Sequence, residues 1–310
     1  MTAMDIVKNY LVDHPRPLIG AETVQLIIIR EILDYTVLRT EEDRQLNAVV
    51  TPLSIARPDP TRRVAFLATK QKAAESRELE HLLRTASKDA GLDIPVCFLK
   101  DNLCMRCPRC GLYGATSTES GQESRANIKH RIEYSTAFSL LPFEEIAESK
   151  TFNAISDKDI TTGQALGARH AVIPATLFPS VITLKSVTKN ELILTIKTLL
   201  SCKSYGAESR IGGDVRNTII GIIAGWEEAI TSLELTLELF DRQDSINPEH
   251  LQSFIKEKYI SMAGNPDRII VLSSSEIENL IKECVTTNLD KEFLAQCYKD
   301  IEDYRAIQLS

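Results

Sequence analysis

An α+β fold is what this sequence of 310 residues predicts. Apolar, β-branched runs of strand length recur along it, and stretches with helical spacing stand between some of them. The two kinds do not alternate in the steady beat that builds a doubly wound parallel sheet. With 43% apolar and 25% charged residues, the chain can bury a sizeable core and belongs with ordinary globular proteins.

Taken in order, "ETVQLIIIREILDYTVLRT" (22–40) has no polar face until its end and reads as a buried strand. "VAFLATK" (64–70) reads as a second strand with basic residues at its end. It leads into "AAESRELEHLLRTASKDAGL" (73–92), where Leu79, Leu82 and Leu83 share a helical face and Gly91 is placed as a stop. From 97 to 131 the periodicity fails, and the polar run "STESGQESRANIKH" reads as an inserted surface loop. "YSTAFSLLPF" and "FPSVITLKSV" return to strand, and "ELILTIKTLLSC" is helical, with Leu192, Ile196 and Leu199 or Leu200 on its apolar side. After "NTIIGIIAG" comes "TSLELTLELF", whose Leu233, Leu235, Leu237 and Leu239 alternate strictly with polar residues, as in a strand covered on one face. A helix is expected from about Pro248, since proline suits a first turn, followed by a strand "RIIVLS". "SSSEIENLIKECV" follows, with Ser275 and Glu278 spaced as a capping box, and an amphipathic helix around "EFLAQCYKDIEDY" closes the chain. No internal repeat is visible.

No run approaches the roughly 18 apolar residues of a membrane span, and "MTAMDIVKNY" lacks a basic segment followed by an apolar one, so a cytoplasmic protein without membrane contact is expected. The formal net charge of -7 argues at first against a nucleic-acid partner, because Lys and Arg supply phosphate binding. The charge is segregated, however. "RPDPTRRVAFLATKQK" (57–72) carries five basic residues against Asp59, whereas 227–257 carries eight acidic residues against Arg242 and Lys256. A basic surface can therefore exist on this acidic chain, although charge alone favours two merely solvated faces.

Seven cysteines, an odd number unevenly spread, point to reduced thiols. Cys104, Cys107 and Cys110 in "NLCMRCPRCGLYG" form C-x-x-C-x-x-C, and thiolates packed this densely in a reducing compartment point to a metal. Structural zinc takes four protein ligands, and two residues compete for the fourth place: Cys97, which closes a compact knuckle, and His130, which would staple the whole loop. An iron–sulfur cluster is the competing reading, but the Cys-Pro of bacterial ferredoxin runs belongs to a fourth cysteine that is absent here. Three ordinary loop thiols are the bland alternative. A closed zinc site has no open position for substrate, so its expected work is to order the insertion.

A second constellation, "CKSYGAESRIGGDVRN" (202–217), sets Lys203, Arg210 and Arg216 among Gly206, Gly212 and Gly213. Glycine lets backbone amides approach a phosphate while the cations neutralise it. It is not a P-loop or a dinucleotide fingerprint, and a helix end followed by a turn explains the spacing equally well. The five histidines are scattered, and none shares a recognisable spacing with a Ser or Cys nucleophile. Asp59 could hold a divalent ion near the basic strand, but an Asp beside proline is more often a turn former.

The order of segments adds a resemblance. "CPRCGLYG", "YSTAFSLLP", "SKTFNA", "LFPSVITLKSVT" and "YGAESRIGGDVRNTIIGI" occur in sequence, and with them the chain resembles the type I-D CRISPR interference backbone subunits, the Cas-seven-type Csc family of the RAMP superfamily. The match covers most of the chain from the first strand to about residue 240. It implies an RRM-like, ferredoxin-like core, discontinuous over 1–95 and 132–310, with helical elaborations and a zinc-binding insertion at 96–131. It implies a protein that binds the spacer part of CRISPR RNA in several copies, beside other subunits and the target strand paired with the guide. A guide can have any sequence, so phosphate contacts are expected. By motif, the resemblance assigns RNA contact to Lys203, Arg210, Gly212, Arg216 and Asn217. Lys70, Lys72, Arg62, Arg63 and Arg77 follow as second candidates from charge and position. The aromatic motifs of an RRM are missing, so base stacking on the sheet is not expected. Some related backbone subunits cut the target through an aspartate, for which Asp59 is the residue to test. A structural role is the main expectation, with a metal-dependent nuclease and a zinc-stabilised interaction module as alternatives.

Overall fold

Arg30 is the sole charge among the first eight residues of a strand in which all eight are buried, and that strand, β1 (Thr23–Ile32), is the axis of the fold. The computed structural model describes residues 2–39, 45–98, 103–116, 127–155, 162–206, 213–242 and 246–310, with the backbone alone for 150–155 and 162–169. After β1 come β2 (Ala48–Pro52), β3 (Pro60–Phe66), α1 (Ala68–Asp89), the short α2 (Pro108–Tyr113), β4 (Ile132–Tyr134), β5 (Ala137–Phe138) and the one-turn α3 (Phe143–Ile146). The hairpin β6 (Ala147–Ile155) and β7 (Thr162–Val172) follows, then β8 (Leu177–Lys185), α4 (Lys189–Ser201), β9 (Val215–Gly225), α5 (Ser232–Phe240) and α6 (Pro248–Phe254). The chain ends with β10 (Ile270–Val271), α7 (Ser274–Thr286) and α8 (Lys291–Leu309). The mixture is α+β, as expected.

The main sheet has the order β10-β9-β1-β8-β4, with every neighbouring pair antiparallel. With the other elements set aside, β1, α1, β4, β8, α4 and β9 come in the chain order β-α-β-β-α-β. Both faces are covered, which is why β1 reads as a continuous apolar run. Leu26 and Ile28 pack with Leu79 and Leu83 of α1, Leu192 and Ile196 of α4 and Leu280 of α7. Ile27 and Ile29 face the other way, onto Leu235 and Leu239 of α5 and Phe254 of α6. A smaller sheet, β2-β3-β5, and the β6–β7 hairpin stand beside this body. No helix among the described residues is long and apolar enough to cross a membrane.

Three local expectations are corrected. "TSLELTLELF" is the helix α5: the Thr231 hydroxyl accepts from the Glu234 amide at 3.3 Å, and the Glu234 carboxylate accepts from the Thr231 amide at 2.9 Å. Leucines two apart need not mean a strand. At 100° per residue, Leu235 and Leu239 share one face while Leu233 and Leu237 share another, and α5 is buried on more than one side. The capping box of α7 is Ser273 with Glu276, two residues earlier than Ser275 with Glu278, because the helix begins directly after β10. The second strand ends at Phe66, so Lys70 and Lys72 stand in the first turns of α1 and not at a strand end. Gly91, at φ +62°, does stop α1.

The chain leading into β4 is tied to the body at Arg131. The Arg131 amide donates to the Leu112 carbonyl at 2.8 Å, and its fully buried guanidinium grips the Glu191 carboxylate with both terminal nitrogens, one at 2.7 Å. Glu191 also closes the capping box of α4 by accepting from the Thr188 amide at 3.0 Å. One carboxylate thus fixes a helix start and a chain crossing together.

Candidate nucleic-acid interface and metal centre

The sulfur atoms of Cys97, Cys104, Cys107 and Cys110 all lie within 4.8 Å of one another. Local chemistry puts them there. Met105 takes a left-handed φ of 55°, turning the chain between the first two cysteines of the triplet. Cys107 caps α2, its sulfur accepting from the Cys110 amide at 3.5 Å, and Pro108 occupies the first turn. Cys97 is carried in by α1, where Arg84 donates to the Cys97 carbonyl at 2.6 Å. The Cys97 sulfur lies 3.6 Å from that of Cys110 and 3.7 Å from that of Cys107. Four thiolates about 2.3 Å from a tetrahedral ion would stand about 3.8 Å apart, so the spacing suits such a cation. The shared hydrogen bonds among these sulfurs hold the Cys97 thiol well below its ordinary range and lower that of Cys104, and they push those of Cys107 and Cys110 up. A cation relieves that conflict by stabilising all four thiolates together. His130 does not join the group. Burial, with Lys72 next in weight, pushes its imidazole below the ordinary value.

This centre is shared with the C-terminal helix. Tyr298, Ile301 and Tyr304 of α8 pack into the same cluster, and a Cβ on Gly111 would meet Ile301 Cδ1 at 2.3 Å. The cysteine turn and the C-terminal helix share one small core.

The described ends of the glycine turn run antiparallel. The Val215 amide donates to the Lys203 carbonyl at 2.8 Å and the Tyr205 amide to the Gly213 carbonyl at 3.1 Å. Lys203 stands opposite Val215, one residue before Arg216, and both Lys203 and Arg216 are exposed. Arg216 donates to Glu31 at 3.0 Å through Nε, an exposed pair that contributes about 0–1 kcal/mol and is readily exchanged for a phosphate. Arg210 and Gly212 lie outside the described residues. Gly213, at φ +62°, has no room for a side chain: an added Cβ would lie 2.5 Å from backbone atoms of Gly206. Gly213→Ala is expected to lower unfolding stability by about 1–3 kcal/mol, read by denaturant titration, because φ strain adds to a backbone clash. An unchanged midpoint would show that the turn relaxes freely.

Two RNA-contact assignments are corrected by burial. Asn217 is 4% exposed, and its amide donates to the Leu199 and Cys202 carbonyls at 2.8 and 3.1 Å. Arg63 is fully buried and donates to the carbonyls of Ser139 at 2.7 Å, Leu53 at 2.6 Å and Leu140. Burial lowers its pKa to about 10. On β3 the side chains alternate, so Arg62 points out where Arg63 points in. Arg62 lies over the Phe143 ring at 4.4 Å and 3.6 Å from Glu144. Arg77 is exposed on α1, and Lys70 and Lys72 are half-buried there. Asp59 is an exposed turn residue whose carbonyl accepts from the Leu53 amide at 2.9 Å. Among the described residues it belongs to no group of three or more potential metal ligands.

Sequence reasoning missed the hub beneath the turn. Arg30 pairs with the Glu75 carboxylate at 2.7 Å and donates to Tyr205 Oη and Asn217 Oδ1 at 3.0 Å each and to Ser180 Oγ at 3.2 Å. Burial opposes its charge, yet Glu75 more than offsets this, and the guanidinium is held more firmly protonated than usual. Glu75 in turn accepts from Tyr205 Oη at 2.8 Å and Tyr134 Oη at 2.6 Å. The signal was one cation inside an apolar strand, which requires a buried partner.

With this geometry in place, comparison with known proteins is decisive. The model of the family described as Csc2 Crispr matches residues 10–307. The chain belongs to the Csc2 CRISPR family. The crystal structure of Thermofilum pendens Csc2 superposes with a TM-score of 0.61 at 20% identity, over 96% of this chain and 95% of that one, so the two share a fold. A subunit of a CRISPR RNA-guided surveillance complex is similar at a TM-score of 0.48 and 12% identity, over 91% of this chain and 98% of that one. One from a pre-nicking surveillance complex gives 0.46 at 14% identity, over 66% and 75%. No curated protein matches the sequence significantly.

Proposed function

We propose that this Csc2-family chain is a backbone subunit of a type I-D CRISPR interference complex, holding the spacer part of CRISPR RNA without regard to sequence. Membership of the family carries the reading. Exposed Lys203 and Arg216, one on each described end of the glycine turn, support it in detail, as does a turn base too crowded for any residue but glycine. Lys70, Lys72, Arg62 and Arg77 extend the candidate path, and Arg210 and Gly212 belong to it by motif. We take the core to be RRM-like. In its favour are the β-α-β-β-α-β order and the sheet order β9-β1-β8-β4, which puts the first strand between the last and the third. We take the metal to be structural zinc, favoured by four sulfurs, all but one of them buried. Zinc would supply no chemistry beyond holding the knuckle closed. Copies of the chain, other subunits of the complex and the target strand paired with the guide complete the partners. We assign the chain no catalytic step.

The test is salt-dependent binding of unrelated single-stranded RNAs. Affinity should be similar across sequences, and Lys203→Ala with Arg216→Ala should weaken it for all of them. Each lost phosphate contact removes about 0.7 from the slope of log K against log salt, so the pair should lower it by about 1.4. A double variant with unchanged affinity and slope removes the turn from the interface.

A further inference from the structure

Cys97 and Cys107 share the wall of one cavity, of about 270 Å³, with the cations Arg84 and Arg109 and the carboxylate of Glu80. Arg84 is already paired. It bonds Glu80 at 2.5 Å and donates to the Cys97 carbonyl at 2.6 Å, so Arg84 and Glu80 together carry no net charge. Arg109 has no such partner. It is 5% exposed, and its Nε and Nη1 are buried with no hydrogen-bond partner among the described residues. A buried cation needs a counter-charge inside the protein. On this wall, with Glu80 taken by Arg84, the thiolates of the sulfur centre supply it.

The sulfur centre has the complementary need. Four thiolates around a divalent cation leave two negative charges in excess, and three of the four cysteines are buried. Backbone amides already donate to three of the sulfurs: that of Cys104 to Cys97 at 3.5 Å, that of Arg106 to Cys104 at 3.4 Å and that of Cys110 to Cys107 at 3.5 Å. Such dipoles soften the excess charge without cancelling it. Arg109 stands between Cys107 and Cys110 in the first turn of α2, so the backbone that places two ligands also places the cation.

We propose that Arg109 is the counter-charge of the sulfur centre. Its buried guanidinium offsets, through space, one of the two excess negative charges and so sets how tightly a divalent ion is held. No N–H···S bond is required, because charges in a poorly solvated interior act beyond hydrogen-bond distance. The role rests on the reading of the four cysteines as a metal centre and is independent of RNA binding.

The experiment is zinc affinity of the full-length chain, measured by competition with a chromogenic chelator while metal content and thermal melting are followed. Arg109→Met keeps an apolar stem and removes the charge. It should weaken zinc about 10–100-fold, the usual range for a group just outside the ligands, whereas Arg109→Lys should keep most of the affinity. Glu80→Gln should act with the opposite sign. It leaves the charge of Arg84 uncancelled beside the Cys97 carbonyl, so zinc should bind more tightly than in the parent. Damage to the fold weakens the metal in every variant, and only charge moves it both ways, so Glu80→Gln decides the matter even if Arg109→Met fails to fold. The potential of the iron-loaded chain gives a second readout. Arg109→Met should lower the Fe3+/Fe2+ potential by about 59 mV or more, a tenfold shift for one electron, and Glu80→Gln should raise it. Unchanged zinc affinity and potential in Arg109→Met, or weaker zinc in Glu80→Gln, overturns the proposal. A parent chain that binds no divalent metal overturns the metal centre itself and the counter-charge with it.

Discussion

Removing the metal with a strong chelator is expected to melt α2 and the sulfur turn and to loosen the C-terminal helix with them. The buried sulfurs are the centre of a cluster that includes Met105, Tyr298, Ile301 and Tyr304, so no other core remains there once they are released. Structural zinc contributes about 10–16 kcal/mol in isolated fingers, where folding and binding are one event. Here α1 and α8 persist in part without it, and a loss of about 5 kcal/mol is expected. At about 2 °C per kcal/mol for a chain of this size, melting should fall by about 10 °C. Cys97→Ser should reproduce that loss and release the metal, whereas His130→Ala should do neither, as measured by metal content and thermal melting. Acid should act in the same direction. Metal binds thiolates, protons compete for them, and the stability supplied by the metal is present at neutral pH and lost as pH falls. Full metal content in Cys97→Ser would return the fourth position to His130.

How much of this was legible depended on whether the signal was local. β1 could be read because both its faces are covered, and the cysteine triplet because its regular three-residue spacing brings the sulfurs together, where Cys97 joins them. The capping box Thr231–Glu234 was equally available, but the alternation of Leu233 to Leu239 outweighed it, since a helix buried on two sides imitates a strand's period. The inward turn of Arg63 was not legible. Whether Arg62 or Arg63 points in depends on the register of β3 against β2, where Arg63 lies opposite Val49 and Arg62 opposite Val50. Asn217 misled for a related reason: it sits in a motif rich in exposed residues, yet on β9 it faces Arg30 of β1. Long-range partners such as Glu75 leave no trace near Arg30 in the sequence.

Glu75→Gln is expected to cost about 3–5 kcal/mol and to weaken RNA binding, although Glu75 touches no proposed RNA-contact residue. The substitution keeps the shape and removes the charge, leaving Arg30 buried at 0% exposure with its Nη2 already unpartnered. Removing both charges should be milder. A double variant Arg30→Met, Glu75→Leu replaces the pair with apolar groups, and the double-mutant cycle should return a coupling of about 1–3 kcal/mol. Denaturant unfolding of Arg30→Met, Glu75→Leu and the double variant measures it, and additive losses would show that the two side chains act independently. The effect on RNA follows from connectivity. Tyr113 at the end of α2 lies 3.2 Å from Tyr134 Oη to Oη; Tyr134 donates to Glu75, and Glu75 accepts from Tyr205 inside the glycine turn. One hydrogen-bonded chain therefore joins the helix capped by Cys107 to the base of the turn. If it positions the turn, Tyr205→Phe should weaken RNA binding while leaving the metal in place, and metal removal should weaken RNA binding through Tyr113. Tyr205→Phe binding RNA as tightly as the parent would reduce the chain of hydroxyls to a stabiliser of the core.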